Sequence, residues 1–210
     1  MADITFYTNP MSRGQIVRWM LEEVGQRYDT EVMDYASTMK CSDYASINPM
    51  MKVPVITHNG KVVTECAAII AYLADAFPEA DLAPRDEEKA DYYRWLFFAA
   101  GPVEQAVTNR AAGFEPVAEK ERMFGYGNYD LAVNTLADHV SGRAYVCGDR
   151  FTAADVYVGS QVLWGTQFGT LPSLQPFVDY SERLASREAY QRARAIDGKL
   201  IAEMQAAQPA

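Results

Sequence analysis

Val53-Pro54-Val55-Ile56-Thr57-His58-Asn59-Gly60-Lys61-Val62-Val63-Thr64 holds two apolar, β-branched runs separated by an Asn-Gly step. Asn-Gly readily adopts the positive backbone angles of a tight hairpin turn, so the stretch predicts two antiparallel strands flanking His58-Asn59-Gly60. Upstream, Ile4-Thr5-Phe6-Tyr7-Thr8 reads as a strand that Asn9-Pro10 ends. From Ser12 onward, Ile16, Val17, Met20, Leu21 and Val24 recur at helical spacing, and Gly25 supplies the stop. Tyr28 to Met33 alternates as another strand, and the turn-rich stretch Ala36 to Asn48 has room only for a short helix. Downstream of the hairpin, Ala67, Ile69, Ile70, Leu73 and Phe77 mark a third amphipathic helix, closed by Pro78.

The order β-α-β-α-β-β-α is the thioredoxin-like arrangement, an α/β unit spanning residues 1–78. Beyond Pro78 the strand signals stop, and a polar stretch containing Pro84 predicts a boundary between 78 and 86. Residues 86–210 read as an all-α C-terminal domain: Tyr92, Tyr93, Leu96, Phe97 and Ala100 predict one helix face, and Leu131, Val133, Leu136 and Val140 another. Phe151-Thr152-Ala153-Ala154-Asp155-Val156 reads as a helix start, with Thr152 as N-cap, Asp155 reaching back, and Phe151 and Val156 at the staple positions. That role for Asp155 is structural. The tail Ala206 to Ala210 is expected to fray.

Among the 210 residues, 28 acidic against 19 basic side chains give a net charge of −9, which argues against nucleic acid as a partner. The longest apolar run, Trp95 to Val103, is interrupted by Gly101-Pro102 and falls well short of the roughly 20 residues of a membrane span. The first residues carry neither the basic nor the long apolar region of a signal peptide, so a cytoplasmic location is expected. Cys41, Cys66 and Cys147 lack CxxC spacing, and with only His58 and His139 beside them they suggest neither a disulfide framework nor a metal site.

Tyr7-Thr8-Asn9-Pro10-Met11-Ser12-Arg13, Asn48-Pro49-Met50-Met51-Lys52-Val53-Pro54, Thr64-Glu65-Cys66-Ala67-Ala68-Ile69 and the Phe151–Val156 cap follow one another in an order that resembles the cytosolic glutathione transferase family, of bacterial, serine type. The resemblance implies that glutathione is the co-substrate, that its thiolate attacks an apolar electrophilic small molecule, and that the chain forms a homodimer. The chemistry has a clear demand. A thiol of pKa about 8.5 is only a few per cent ionised at neutral pH, and lowering that value by about two units requires roughly 2.7 kcal/mol of preferential stabilisation of the anion. A hydroxyl donor at a helix N-terminus answers this demand.

By resemblance, Ser12 is the hydroxyl that donates to the sulfur and also an N-cap of the first helix, with Tyr7 as its rival. Arg13 follows as a basic residue. Val53-Pro54, with an implied cis bond, would pair with the cysteinyl unit of glutathione. Glu65-Cys66 would hold the γ-glutamyl end, although relatives carry serine or threonine where this chain has Cys66. Lys52 and Lys40 are the candidate cations for the glycyl carboxylate, whereas Arg18, on the polar face of the first helix, is expected to form a structural ion pair. Met11, Gly101 to Gln105, Trp164 and Phe168 are candidates for the electrophile site, expected between the two domains. The alternatives kept open are a glutathione-dependent isomerase, lyase or dehalogenase, and a non-catalytic binding module of the same fold.

Overall fold

The computed structural model describes residues 3–207. The hairpin forms as β3 (Val55–His58) and β4 (Lys61–Thr64), with Asn59 at φ 50° and Gly60 at φ 74° making the two-residue turn. The first strand of the pair starts at Val55 instead of Val53, because Pro54 has no N–H to give to a ladder. Before the hairpin come β1 (Ile4–Thr8), α1 (Gly14–Val24), β2 (Tyr28–Val32), a 3₁₀ turn (Thr38–Lys40) and the short α2 (Ser42–Ile47); α3 (Cys66–Ala76) follows it. The sheet order is β2-β1-β3-β4, with β1 parallel to β2 and antiparallel to β3, and β3 antiparallel to β4. The crossover through α1 accounts for the parallel pair and the tight turn for the antiparallel one. This is the expected thioredoxin-like unit.

Alternation along β1 buries Ile4, Phe6 and Thr8 and leaves Thr5 and Tyr7 half-buried. Tyr7 packs on a cluster of Met33, Met39, Tyr44 and Val55, which ties β3 to α2 and the 3₁₀ turn. Gly25 closes α1 in the left-handed conformation at φ 73°, its N–H bonded to the Leu21 carbonyl at 3.0 Å.

The remaining elements are helical: α4 (Lys89–Phe98), a π-helical turn (Ala99–Val103), α5 (Glu104–Ala111), α6 (Tyr129–Val140), α7 (Ala153–Phe168), α8 (Gln175–Ala185) and α9 (Glu188–Ala206). The π turn contains Pro102, whose missing N–H fits a local break in the α ladder. On α4 the buried face is Tyr92, Trp95 and Leu96, continued by Ala99 in the π turn, while Tyr93 and Phe97 are exposed; on α6 Leu131 is exposed and Ala132 and Ala137 join the core. Four consecutive aromatic and apolar residues, Trp95 to Phe98, define no unique face by spacing alone, which explains the difference.

The predicted cap of α7 is present. Asp155 accepts from the Thr152 N–H at 2.8 Å and, through its other oxygen, from the Val146 N–H at 2.7 Å and the Tyr180 hydroxyl at 2.8 Å. Burial pushes its carboxyl up to about 6, against the pull of these donors.

The chain divides into two units, residues 3–81 with 186–207, and residues 82–185. The sequence division at 78–86 groups 186–207 with the helical part instead. The difference arises because α9 packs on α1, where Arg187 and Arg192 pair with Glu23 and Glu22, and Asp197 pairs with Arg18. Part of the tail expected to fray, residues 208–210, lies outside the described residues. Among the described residues no helix is long and apolar enough to cross a membrane.

Candidate functional site

Register brings the predicted residues other than Lys40 toward one end of the sheet. Tyr7, near the end of β1, lies opposite Val55 at the start of β3, and Val55 lies opposite Thr64 at the end of β4. The segments continuing from these points, 9–13, 52–54 and 65–66, therefore emerge at the same end.

Ser12 is half-buried in the turn before α1. Its hydroxyl donates to the Asn9 carbonyl at 2.6 Å, and its oxygen accepts the Gly14 N–H at 2.9 Å. Ser12 thus does the capping that the adjacent Arg13, with helical backbone angles and no side-chain cap bond, does not. An oxygen that accepts from the N–H groups at the positive end of a helix is a better donor through its own proton. The turn is tight enough that Gly14 admits no Cβ: one built there would lie 1.9 Å from the Thr8 Oγ1.

Cys66 is the first residue of α3, and its buried thiol donates to the Arg13 carbonyl at 3.6 Å. This contact joins the start of α3 to the turn that carries Ser12. Glu65 is exposed and sits at φ 65°, ψ 117°, a conformation costing a side-chain-bearing residue about 1–3 kcal/mol. Such strain persists only where the surroundings impose it.

The Val53–Pro54 peptide is cis, as the resemblance implied. Next to it the Lys52 carbonyl accepts from the Tyr44 hydroxyl at 2.6 Å and the Asn48 Nδ2 at 2.9 Å, while the Lys52 side chain is exposed. Burial pushes the Tyr44 phenol up to about 12, which keeps it a proton donor to that carbonyl. Lys40, also exposed, ends the 3₁₀ turn that Met39 anchors in the cluster with Tyr44 and Val55.

Tyr7 lies in that same cluster, its ring 5.9 Å from the ring of Tyr44. Arg18 forms the expected ion pair, with Asp197 at 3.0 Å, but its side chain is buried instead of lying on a polar face. Its guanidinium also donates to the Tyr28 hydroxyl and to Thr30 Oγ1 and lies 5.0 Å from the Phe6 ring centre. In the helical unit, Gly101 to Gln105 spans the π turn and the start of α5, and Trp164 meets the exposed Phe168 edge-on at 6.3 Å.

The sequence reading treats Asn9 only as the end of a strand. In the structure it is buried; its Oδ1 accepts the Met11 N–H at 2.9 Å and its Nδ2 donates to the Met33 carbonyl at 2.9 Å. An Asn ahead of Pro, three residues before a serine, is the signal for such a side-chain-closed turn. A cavity of about 560 Å³, lined by Asp3, Arg27, Tyr28, Asp29, His58 and Phe77 among others, opens at the other end of the sheet and holds none of the predicted site residues.

Residues 2–75 match the family model for the glutathione S-transferase N-terminal domain. Among curated proteins, glutathione S-transferase GstA of Escherichia coli O157:H7 is 26% identical over 74% of this chain and 79% of its own length. The maleylacetoacetate isomerase of Rhizobium meliloti is 29% identical over 84% and 88%. Among solved structures, glutathione transferase URE2P6 of Phanerochaete chrysosporium, in complex with oxidized glutathione, superposes with a TM-score of 0.78 at 21% identity, covering 94% of this chain and 97% of that one. A glutathione transferase of Methylococcus capsulatus gives 0.76 at 25% identity over 93% and 98%. The domain match over the sheet unit, the curated relatives and a shared fold along nearly the whole chain lead to one conclusion: residues 2–75 form a glutathione S-transferase N-terminal domain, and the chain as a whole is similar to glutathione transferases.

Proposed function

We propose that the protein is a glutathione transferase that conjugates the glutathione thiolate to an apolar electrophilic small molecule, with Ser12 as the group that stabilises the thiolate. The observation that carries this reading is the bonding of Ser12, whose oxygen is fixed by the Gly14 N–H at the start of α1. Rotation about the Cβ–Oγ bond moves the proton from the Asn9 carbonyl to a thiolate while leaving the Gly14 bond intact. The sulfur, deprotonated and held by the hydroxyl, then attacks the electrophilic carbon; a C–S bond forms as the leaving group departs or as electrons pass to an adjoining acceptor.

In this reading Val53 and the cis Pro54 pair with the cysteinyl unit, Glu65 and the N–H groups after it hold the γ-glutamyl end, and Arg13, Lys52 and Lys40 face the carboxylates. Cys66 is a weaker donor than a serine at that place. A homodimer and a cytoplasmic location belong to the same proposal. The test is the ultraviolet titration of the thiolate in the glutathione complex. Ser12→Ala is expected to raise the thiol pKa by about one to two units, which is roughly 1.4–2.7 kcal/mol, and to lower the conjugation rate with it, whereas Tyr7→Phe leaves both near wild type. The reverse pattern overturns the assignment.

A second reading, a glutathione-dependent isomerase, is favoured by the 29% identity to the Rhizobium meliloti maleylacetoacetate isomerase. In that chemistry the thiolate adds to a double bond and leaves again after rotation, so glutathione is regenerated. Mass analysis of the product separates the two readings: retained glutathione supports conjugation, and an isomer of unchanged mass supports isomerisation.

A further inference from the structure

We propose that Asn9 is the positioning residue for Ser12, a two-sided clamp that holds the serine oxygen where it meets the thiolate. The proposal rests on the assignment of Ser12 made above. Three observations carry it. Asn9 is 1% exposed, so its amide must find protein partners, and it does so in both directions: Oδ1 takes the Met11 N–H at 2.9 Å and Nδ2 gives to the Met33 carbonyl at 2.9 Å. One side presents a donor and the other an acceptor, so the amide has a single productive orientation, which neither a carboxylate nor a hydroxyl reproduces. The backbone carbonyl of Asn9 receives both the Ser12 hydroxyl at 2.6 Å and the Ser12 N–H at 3.0 Å.

The consequence is a chain of fixed points. Met33 is bound to the end of β1 a second time, through its N–H to the Thr8 carbonyl at 2.7 Å. The end of β2 therefore anchors residues 8 and 9, and Asn9 in turn anchors the turn over Met11 and Ser12. Ser12 Oγ is left between two fixed partners, the Asn9 carbonyl and the Gly14 N–H. In the free protein the carbonyl is the resting acceptor of the serine proton, and the sulfur takes its place when glutathione binds. Loosening Asn9 lets the oxygen wander and weakens its bond to the anion, while the surfaces that hold the peptide part of glutathione stay as they are.

The experiment is a double-mutant cycle read by thiolate titration in the glutathione complex. Asn9→Asp keeps the acceptor for Met11 and loses the donor to Met33; Asn9→Ala loses both. Both are expected to raise the pKa of the bound thiol by about one unit, a roughly tenfold loss of thiolate at neutral pH. Their affinity for S-methylglutathione, which has no thiol to ionise, stays within about twofold of wild type, so the loss lies in ionisation and not in binding. In the Ser12→Ala background, Asn9→Asp adds nothing further, because its effect runs through the serine.

If Ser12→Ala leaves the thiol pKa unchanged, the serine assignment fails. If Ser12→Ala raises it and a folded Asn9 variant does not, or if Asn9→Asp adds its full effect without the serine, the positioning role is refuted. Equal loss of S-methylglutathione binding and of thiolate would also refute it, since Asn9 would then act only through general folding of the unit. Should Asn9→Ala not fold, Asn9→Asp, nearly isosteric, carries the test alone.

Discussion

Replacing Asp155 by Asn removes a titrating group from the interior and leaves its shape. In the wild type this carboxyl is fully buried and is pushed from the ordinary 3.8 to about 6, because burial outweighs the bonds from Val146, Thr152 and Tyr180. An upward shift means that the folded protein holds the proton more tightly than the unfolded chain. The resulting stabilisation is fully present below the unfolded pKa and is lost as pH rises through about 6. A rise of about two units corresponds to roughly 3 kcal/mol, a large share of the about 5–15 kcal/mol that holds a typical domain folded. Asn binds no proton and turns an N–H toward the Thr152 N–H, so the variant is weaker at low pH but lacks this pH dependence. Urea denaturation of both proteins from about pH 4 to pH 7 is the assay, and the wild-type advantage is expected to shrink by about 2.4 kcal/mol across that range. An advantage that stays flat or grows with pH refutes the reasoning: the carboxylate would then be ionised throughout, its donors outweighing the cost of burial.

The Arg18–Asp197 pair is buried on both sides, with Arg18 Nη2 and Asp197 Oδ2 lacking hydrogen-bond partners. Asp197→Ala is expected to cost about 3–5 kcal/mol in urea denaturation, whereas the double replacement Arg18→Met with Asp197→Leu returns stability to wild type or above it. Thr8 Oγ1 is likewise buried and unbonded, so Thr8→Val, which keeps the shape, is expected to raise stability by about 1 kcal/mol in the same assay. Cys66→Ser restores a strong hydroxyl donor at the start of α3 and is expected to tighten glutathione binding by roughly fivefold, about 1 kcal/mol, in calorimetry.

What the sequence revealed follows the range of the interactions involved. The hairpin, α1 with its Gly25 stop, and the Thr152–Asp155 cap depend on residues a few positions apart, and each is where spacing and turn chemistry put it. Arg18 reads as a polar-face residue because its counter-charge, Asp197, is 179 positions away. No local pattern reports that distance. The grouping of units by contacts differs from the sequence division for the same reason, since Arg187 and Arg192 look like part of an ordinary polar helix until Glu23 and Glu22 stand opposite them. For the site, the residue types at Ser12, Pro54 and Glu65 carry meaning only by resemblance. Asn9 escaped even that, because half of its bonding lies at Met33, 24 positions further on.

Distance also governs the electrostatics. A chain of net −9 looks ill-suited to an anionic tripeptide. Yet several acids of the first unit are engaged within the fold. Glu22 meets Arg192, Glu23 meets Arg187 and Asp197 meets Arg18. Asp34 is closed into its own turn by the Ser37 hydroxyl and the N–H groups of Ser37 and Ala36, which hold its carboxyl below the usual range. Arg13, Lys40 and Lys52 are exposed, and with them comes the exposed start of α3 at Glu65, where the backbone N–H groups of a helix begin. What an approaching carboxylate meets is therefore set by the charges left at the surface, and in the proposed reading these are exposed cations and a helix N-terminus, with Glu65 assigned to the ammonium of the ligand.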